Sequence, residues 1–165
     1  LIYTRADCRR WFKLKPEVED AMQYIKPMVP HAHLRRGDYH GAGFPTVSVS
    51  SVERAMLQYG IEGPWVSVTD DKPPGRFTGH GLDPGFVGDL SMVPDFVRLM
   101  RAPILFRGNS TFSWFAATLG HGRVFSPRID GLKGGMEHDD VPYEEGNHCK
   151  CADGMDFVTD LRLPE

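Results

Sequence analysis

His33, Arg35, Arg36 and Asp38 fall within one heptapeptide, His-Leu-Arg-Arg-Gly-Asp-Tyr, and their side chains suit an anionic ligand. A guanidinium donates paired hydrogen bonds and keeps its charge, so it grips phosphate as a fork where lysine offers a point charge. Gly37 lets backbone approach a ligand closely, and Asp38 is placed to orient one guanidinium. The plainer account of the two arginines is a surface pair bonded to Asp38 or Glu53, and an Arg-Gly-Asp adhesion tripeptide is a minor option. Two further stretches carry chemistry. Asp70-Asp71 offers acid–base groups, acceptors for ribose hydroxyls, or simply a helix cap with a solvated neighbour. Gly108-Asn109-Ser110-Thr111 precedes an apolar helix, where free N–H groups, the helix dipole and hydroxyls make an anion site or an ordinary cap.

The elements that must position these residues follow from periodicity. Val18, Met22 and Ile25 are spaced for a helix over residues 16–28, begun by Pro16 and ended by Pro27 and Pro30. A short strand over 31–35 feeds the glycine at 37. A second helix is expected over 51–59, capped by Ser50 with Glu53 and stopped by Gly60. Trp65 to Thr69 is β-branched and aromatic, hence a strand ending at Asp70. Short strands are also expected at 86–87, 104–106 and 124–125, with helices over 94–101 and 110–119. Strands alternating with helices predict an α/β fold with a mainly parallel, doubly wound, Rossmann-like sheet. All three chemical stretches then fall at carboxyl ends of strands, where ligands of open α/β sheets bind. The segment 131–165 has little pattern and is expected to pack irregularly.

At 165 residues the chain is about one domain, with 41% hydrophobic and 25% charged residues, an ordinary globular composition. A net charge of −3 gives no general attraction for nucleic acid, so any phosphate site is local. No apolar run approaches the ~20 residues of a membrane span. The first residue is Leu1, without an initiator methionine, as in a processed form or a fragment. Three cysteines are too few for a disulfide framework, and His148, Cys149 and Cys151 fall short of the four ligands of a structural zinc site. No metal is expected.

Taken in order and spacing, His-Leu-Arg-Arg-Gly-Asp-Tyr, Val-Thr-Asp-Asp and Asn-Ser-Thr-Phe-Ser-Trp-Phe-Ala-Ala-Thr-Leu resemble the GDP-fucose-dependent fucosyltransferases, and the α-1,2 group above all. The likeness spans residues 33–119, about half of the chain. It implies the nucleotide-binding half of a GT-B glycosyltransferase that inverts configuration and needs no metal or other cofactor. The donor would be GDP-fucose or another GDP-sugar, and the acceptor a glycan hydroxyl. By motif position, Arg35, Asp38 and Asp70 fall to catalysis, with Arg35 on the β-phosphate. His33, Arg36, Gly37, Asp71, Asp95, Asn109, Ser110 and Thr111 fall to the nucleotide, with Asp95 receiving guanine. Arg107 stands where the family is small or apolar, and is a further candidate phosphate contact. Only about thirty residues precede the first motif, so a missing lobe, a second subunit or a reduced design is implied. A binding module without turnover, or an unrelated α/β domain for another phosphorylated or sulfated ligand, are the rival expectations.

Overall fold

The computed structural model describes residues 4–69 and 92–147. It opens with α1 (Arg5–Trp11), a helix that apolar periodicity does not signal and a capping box does. The Thr4 hydroxyl accepts from the Asp7 amide at 3.1 Å while the Asp7 carboxylate accepts from the Thr4 amide at 3.0 Å. Arg5 is buried, and its guanidinium donates to the carbonyl of Gly120 at 2.6 Å; Arg9 donates to the same carbonyl at 2.8 Å. Two cations therefore cap the negative end of a later helix.

Helix α2 (Pro16–Ala21) is shorter than the helix expected over 16–28. The cause lies elsewhere in the chain: Arg101 donates to the carbonyls of Met22 at 2.6 Å and Ile25 at 3.1 Å, satisfying acceptors at and beyond the helix end. Met22 and Ile25 are nonetheless buried, packed with Val97. Next come β1 (His31–Leu34), α3 (Gly37–Ala42), β2 (Thr46–Val47) and α4 (Val49–Gln58). The expected glycine loop at 37 is thus the start of a helical turn and a half. Ser48, not Ser50, caps α4, accepting from the Ser51 amide at 3.2 Å.

The remaining elements are β3 (Val66–Thr69), α5 (Val93–Arg101), β4 (Ile104–Phe106), α6 (Thr111–Leu119), β5 (Arg123–Pro127), β6 (Glu137–His138) and β7 (Tyr143–Glu145). The strand expected at 86–87 lies outside the described residues. Strands 137–138 and 143–145 correct the expectation that the segment from 131 is irregular, as far as residue 147.

Among the described residues, five strands form one sheet in the order β3-β1-β4-β5-β7, parallel throughout except for β7 against β5. A second, two-stranded sheet pairs β2 with β6, Thr46 opposite Glu137. Side chains alternate across the main sheet. Ala32, Leu34, Phe106 and Phe125 point to α4 and to Ile129, Val141 and Tyr143. Val68, Leu105 and Val124 point to Leu99 of α5 and Ala116 and Ala117 of α6. The fold is therefore α/β, with a mainly parallel sheet covered on both faces, compatible with a Rossmann-like arrangement. Phe106 and Phe125 stack at 4.9 Å, and each fully buried ring contributes about 1.5–3 kcal/mol. Tyr143 closes this core edge-on to Phe106 and donates its hydroxyl to the carbonyl of Arg107 at 2.9 Å. Burial pushes its phenol well above the usual tyrosine range. Among the described residues no helix is long and apolar enough to cross a membrane.

Candidate functional site

The strand order sets the site. From β1 the chain runs to β3 on one side, and when it returns it enters β4 on the other side of β1. The segments leaving the carboxyl ends of β1 and β4 lead to helices on opposite faces of the sheet, and the strand ends between which such connections part are where open α/β sheets usually hold a ligand. The heptapeptide leaves β1, and Gly108 to Thr111 leaves β4.

The end of β1 itself is in contact with the residues that follow β4. The buried His33 imidazole lies 5.6 Å from the Phe112 ring, centroid to centroid. Gly108 packs so closely on β1 that a Cβ there would stand 2.5 Å from the His33 carbonyl oxygen. His33 is thus a wall residue between the two segments. Asn109 donates its side-chain amide to the Pro45 carbonyl at 3.2 Å, tying the β4–α6 connection to the segment before β2. Ser110 is the N-cap of α6, accepting from the Phe112 amide at 3.2 Å, and Thr111 is its exposed first residue. The helix start is thus properly capped and open at Thr111.

The two arginines have different partners. Arg35, about a third exposed, holds Asp38 with a fork: Nε to Oδ1 and Nη2 to Oδ2, both at 2.9 Å. Its guanidinium also lies 5.6 Å from the centre of the Tyr39 ring. Arg36 is mostly buried and pairs with Glu137 of β6. Of the partners expected from sequence, Asp38 or Glu53, Asp38 pairs with Arg35, and the Arg36 partner Glu137 is a residue that local spacing had no means of finding. Gly37 and Asp38 form the exposed first turn of α3.

Asp95 sits buried in the first turn of α5 and accepts from Arg98 at 2.8 Å. Asp70 and Asp71 lie outside the described residues; the register pairs Leu34 with Thr69, so β3 ends beside β1. Arg107 does not join the crevice cations. It is 3% exposed and donates to Ser126 and Asn147, both at 3.0 Å, where Asn147 in turn donates to Thr118 and to the Trp114 carbonyl. This network ties β4 and β5 to α6, so Arg107 serves the scaffold. Among the described residues no group of His, Cys, Asp and Glu is arranged to hold a metal ion.

Tyr39, the last residue of the heptapeptide, borders Arg35, and Phe44, which no ligand motif signalled, packs on Tyr39. The helix α3 ends in a Schellman cap: Phe44 N–H bonds to the Tyr39 carbonyl at 3.0 Å and Gly43 N–H to that of His40 at 3.4 Å. Gly43 takes φ 78°, a conformation that favours glycine. The six-residue spacing of Tyr39, Gly43 and Phe44 is the signal that sequence does carry for this contact.

Comparison with protein-family models, curated proteins and solved structures gives no match.

Proposed function

We propose that the crevice between β1 and β4 binds a GDP-sugar and that the protein transfers the sugar, fucose first among candidates, to a glycan hydroxyl with inversion. The observation that carries this is the contact of His33 with Phe112 and Gly108, which joins the arginine segment to the capped start of α6 at one crevice. On this proposal the sheet is the doubly wound donor half of a GT-B enzyme, and the acceptor lobe comes from further sequence or a second subunit.

The chemistry needs one displacement. The bond from the sugar's anomeric carbon to the β-phosphate oxygen breaks, and the acceptor oxygen forms its bond to that carbon from the opposite face. The acceptor proton leaves to a base, and Asp70 and Asp71 are among the acid–base groups that the sequence offers. Negative charge grows on the departing diphosphate, and Arg35 with the α6 amides stabilises it more in the transition state than in the ground state. Asp38 holds the Arg35 guanidinium at two of its donors, fixing its plane. Asp95 takes the guanine, exchanging part of its bond to Arg98, and no divalent ion is required.

Calorimetric titration with GDP, UDP and ADP tests the donor assignment, with preference for GDP expected. Equal binding of all three, or none, overturns it. Release of GDP from GDP-fucose then separates an enzyme from a module that only binds.

A further inference from the structure

Arg35 does not stand alone at the crevice mouth. It lies over Tyr39, whose ring is 5.0 Å from that of Phe44 and tilted 42° to it, so a guanidinium and two aromatic rings form one angled shelf. Phe44 is 41% exposed, and Met136 in the neighbouring segment is 43% exposed. That segment is fixed to the shelf by backbone: the Gly135 N–H donates to the Phe44 carbonyl at 3.1 Å, and the Thr46 N–H to the Met136 carbonyl at 3.0 Å. Gly134 comes so near that a Cβ would lie 1.9 Å from the Gly43 carbonyl oxygen. The shelf is therefore built from both sides and held in place.

The Schellman cap explains why residue 44 is apolar and touches Tyr39. It does not require a partly exposed aromatic ring, since leucine makes the same contact. A pyranose presents a face of C–H groups carrying partial positive charge, and that face packs on the negative face of an aromatic ring. A phosphate gripped by Arg35 carries its sugar one ester link further out, and among the described residues the shelf adjoins Arg35 through Tyr39. We infer that Tyr39 and Phe44 form a stacking platform for the pyranose carried by the diphosphate. The inference rests on the GDP-sugar proposal and adds the residues that recognise the sugar.

The test is calorimetric titration of the full chain with GDP, GDP-fucose, GDP-mannose and the methyl glycosides of both sugars. It is run on wild type, Phe44→Leu, which keeps the cap contact, and Phe44→Trp, which keeps the π face. Wild type is expected to bind at least one GDP-sugar more tightly than GDP. Phe44→Leu loses about two- to tenfold of affinity for that GDP-sugar with GDP unchanged, and Phe44→Trp retains it. Equal weakening of GDP and GDP-sugar in the leucine variant overturns the platform, because Phe44 would then only support Arg35. So does a leucine variant indistinguishable from wild type, or a wild type blind to the sugar. Loss confined to a methyl glycoside overturns the donor assignment in favour of an acceptor. If GDP itself fails to bind, the underlying proposal falls and the platform with it.

Discussion

Gly108→Ala is the substitution that best tests how the two ligand segments are held together. The added methyl would meet the His33 carbonyl oxygen at 2.5 Å and the His33 Nδ1 at 3.3 Å. An ordinary contact begins near 3.4 Å, so the two backbones must separate by about 0.9 Å. The obstructing atom is backbone in the central strand β1, which is paired on both sides and has no room to swing away. Overpacking of this kind costs about 1–3 kcal/mol. In urea, with a slope of about 1–3 kcal/mol per molar, that lowers the midpoint by about 1 M. Gly122→Ala is the matched control. Its Cβ would meet the Ala102 carbonyl at 2.1 Å, in the turn that leads into β5, at the other end of the sheet. Both variants should lose stability, while only Gly108→Ala should weaken GDP binding, tenfold or more by about 1.4 kcal/mol per decade, measured on protein shown to be folded. A Gly108→Ala midpoint equal to that of wild type would refute the close contact. A Gly122→Ala chain that loses GDP to the same degree would refute the claim that this contact builds the site.

Other predictions follow from single interactions. Arg35→Ala should abolish transfer from GDP-fucose, and Arg35→Lys should not restore it, because an ammonium cannot form the fork held by Asp38; full activity of the lysine variant would sink the role given to Arg35. Arg107→Met leaves the Asn147 side-chain oxygen without its donor and should cost about 1–3 kcal/mol in urea unfolding, with GDP affinity of the folded protein unchanged. Loss of GDP binding there would move Arg107 into the site. Hydrogen bonds from Thr4 hold the Asp7 carboxyl below its ordinary value of 3.8. Its contribution is thus full above that pH and is lost as pH falls through the lower folded value. Amide exchange should show α1 losing protection on acidification before the sheet does, and unchanged protection of α1 in acid would contradict this.

Much of the sheet is legible because its strands are short runs of buried apolar residues. Val66 to Thr69, Ile104 to Phe106 and the centre of β5 announce themselves by β-branched and aromatic content. What composition hides is pairing by charge. Strand β7 reads Tyr-Glu-Glu, a poor strand by propensity, yet Tyr143 is buried in the core and Glu144 and Glu145 meet Arg128 and Arg123 from β5 and its end at 2.6 and 2.8 Å. Both partners have pKa values moved in the directions that a favourable pair requires, Glu145 down and Arg123 up, each chiefly through their shared hydrogen bond. These pairs are exposed and contribute modestly, so they select register more than they stabilise. The 16–28 helix is misjudged for a related reason. A cation from α5 satisfies the carbonyls of Met22 and Ile25, and no local pattern near residue 22 can reveal a donor at 101.

The same limit bears on the site and explains why its two arginines are indistinguishable in sequence and unlike in space. Arg35 finds its carboxylate three residues away, a spacing that local reading anticipates for an arginine of this segment. Arg36 finds Glu137 101 residues away, on a strand of two residues that no propensity would single out. The pairing follows from the second sheet: Thr46 stands opposite Glu137, so the strand after α3 carries Glu137 up to the residue that precedes α3. Arg36 thereby ties the turn to the second sheet, while Arg35 pairs with a carboxylate on its own turn. On the proposed function, a ligand phosphate would compete with Asp38 for the Arg35 guanidinium, whereas displacing Glu137 from Arg36 would also disturb the β2–β6 pairing. On that proposal Arg35 is the arginine that trades Asp38 for phosphate, and Arg36 keeps its pair with Glu137.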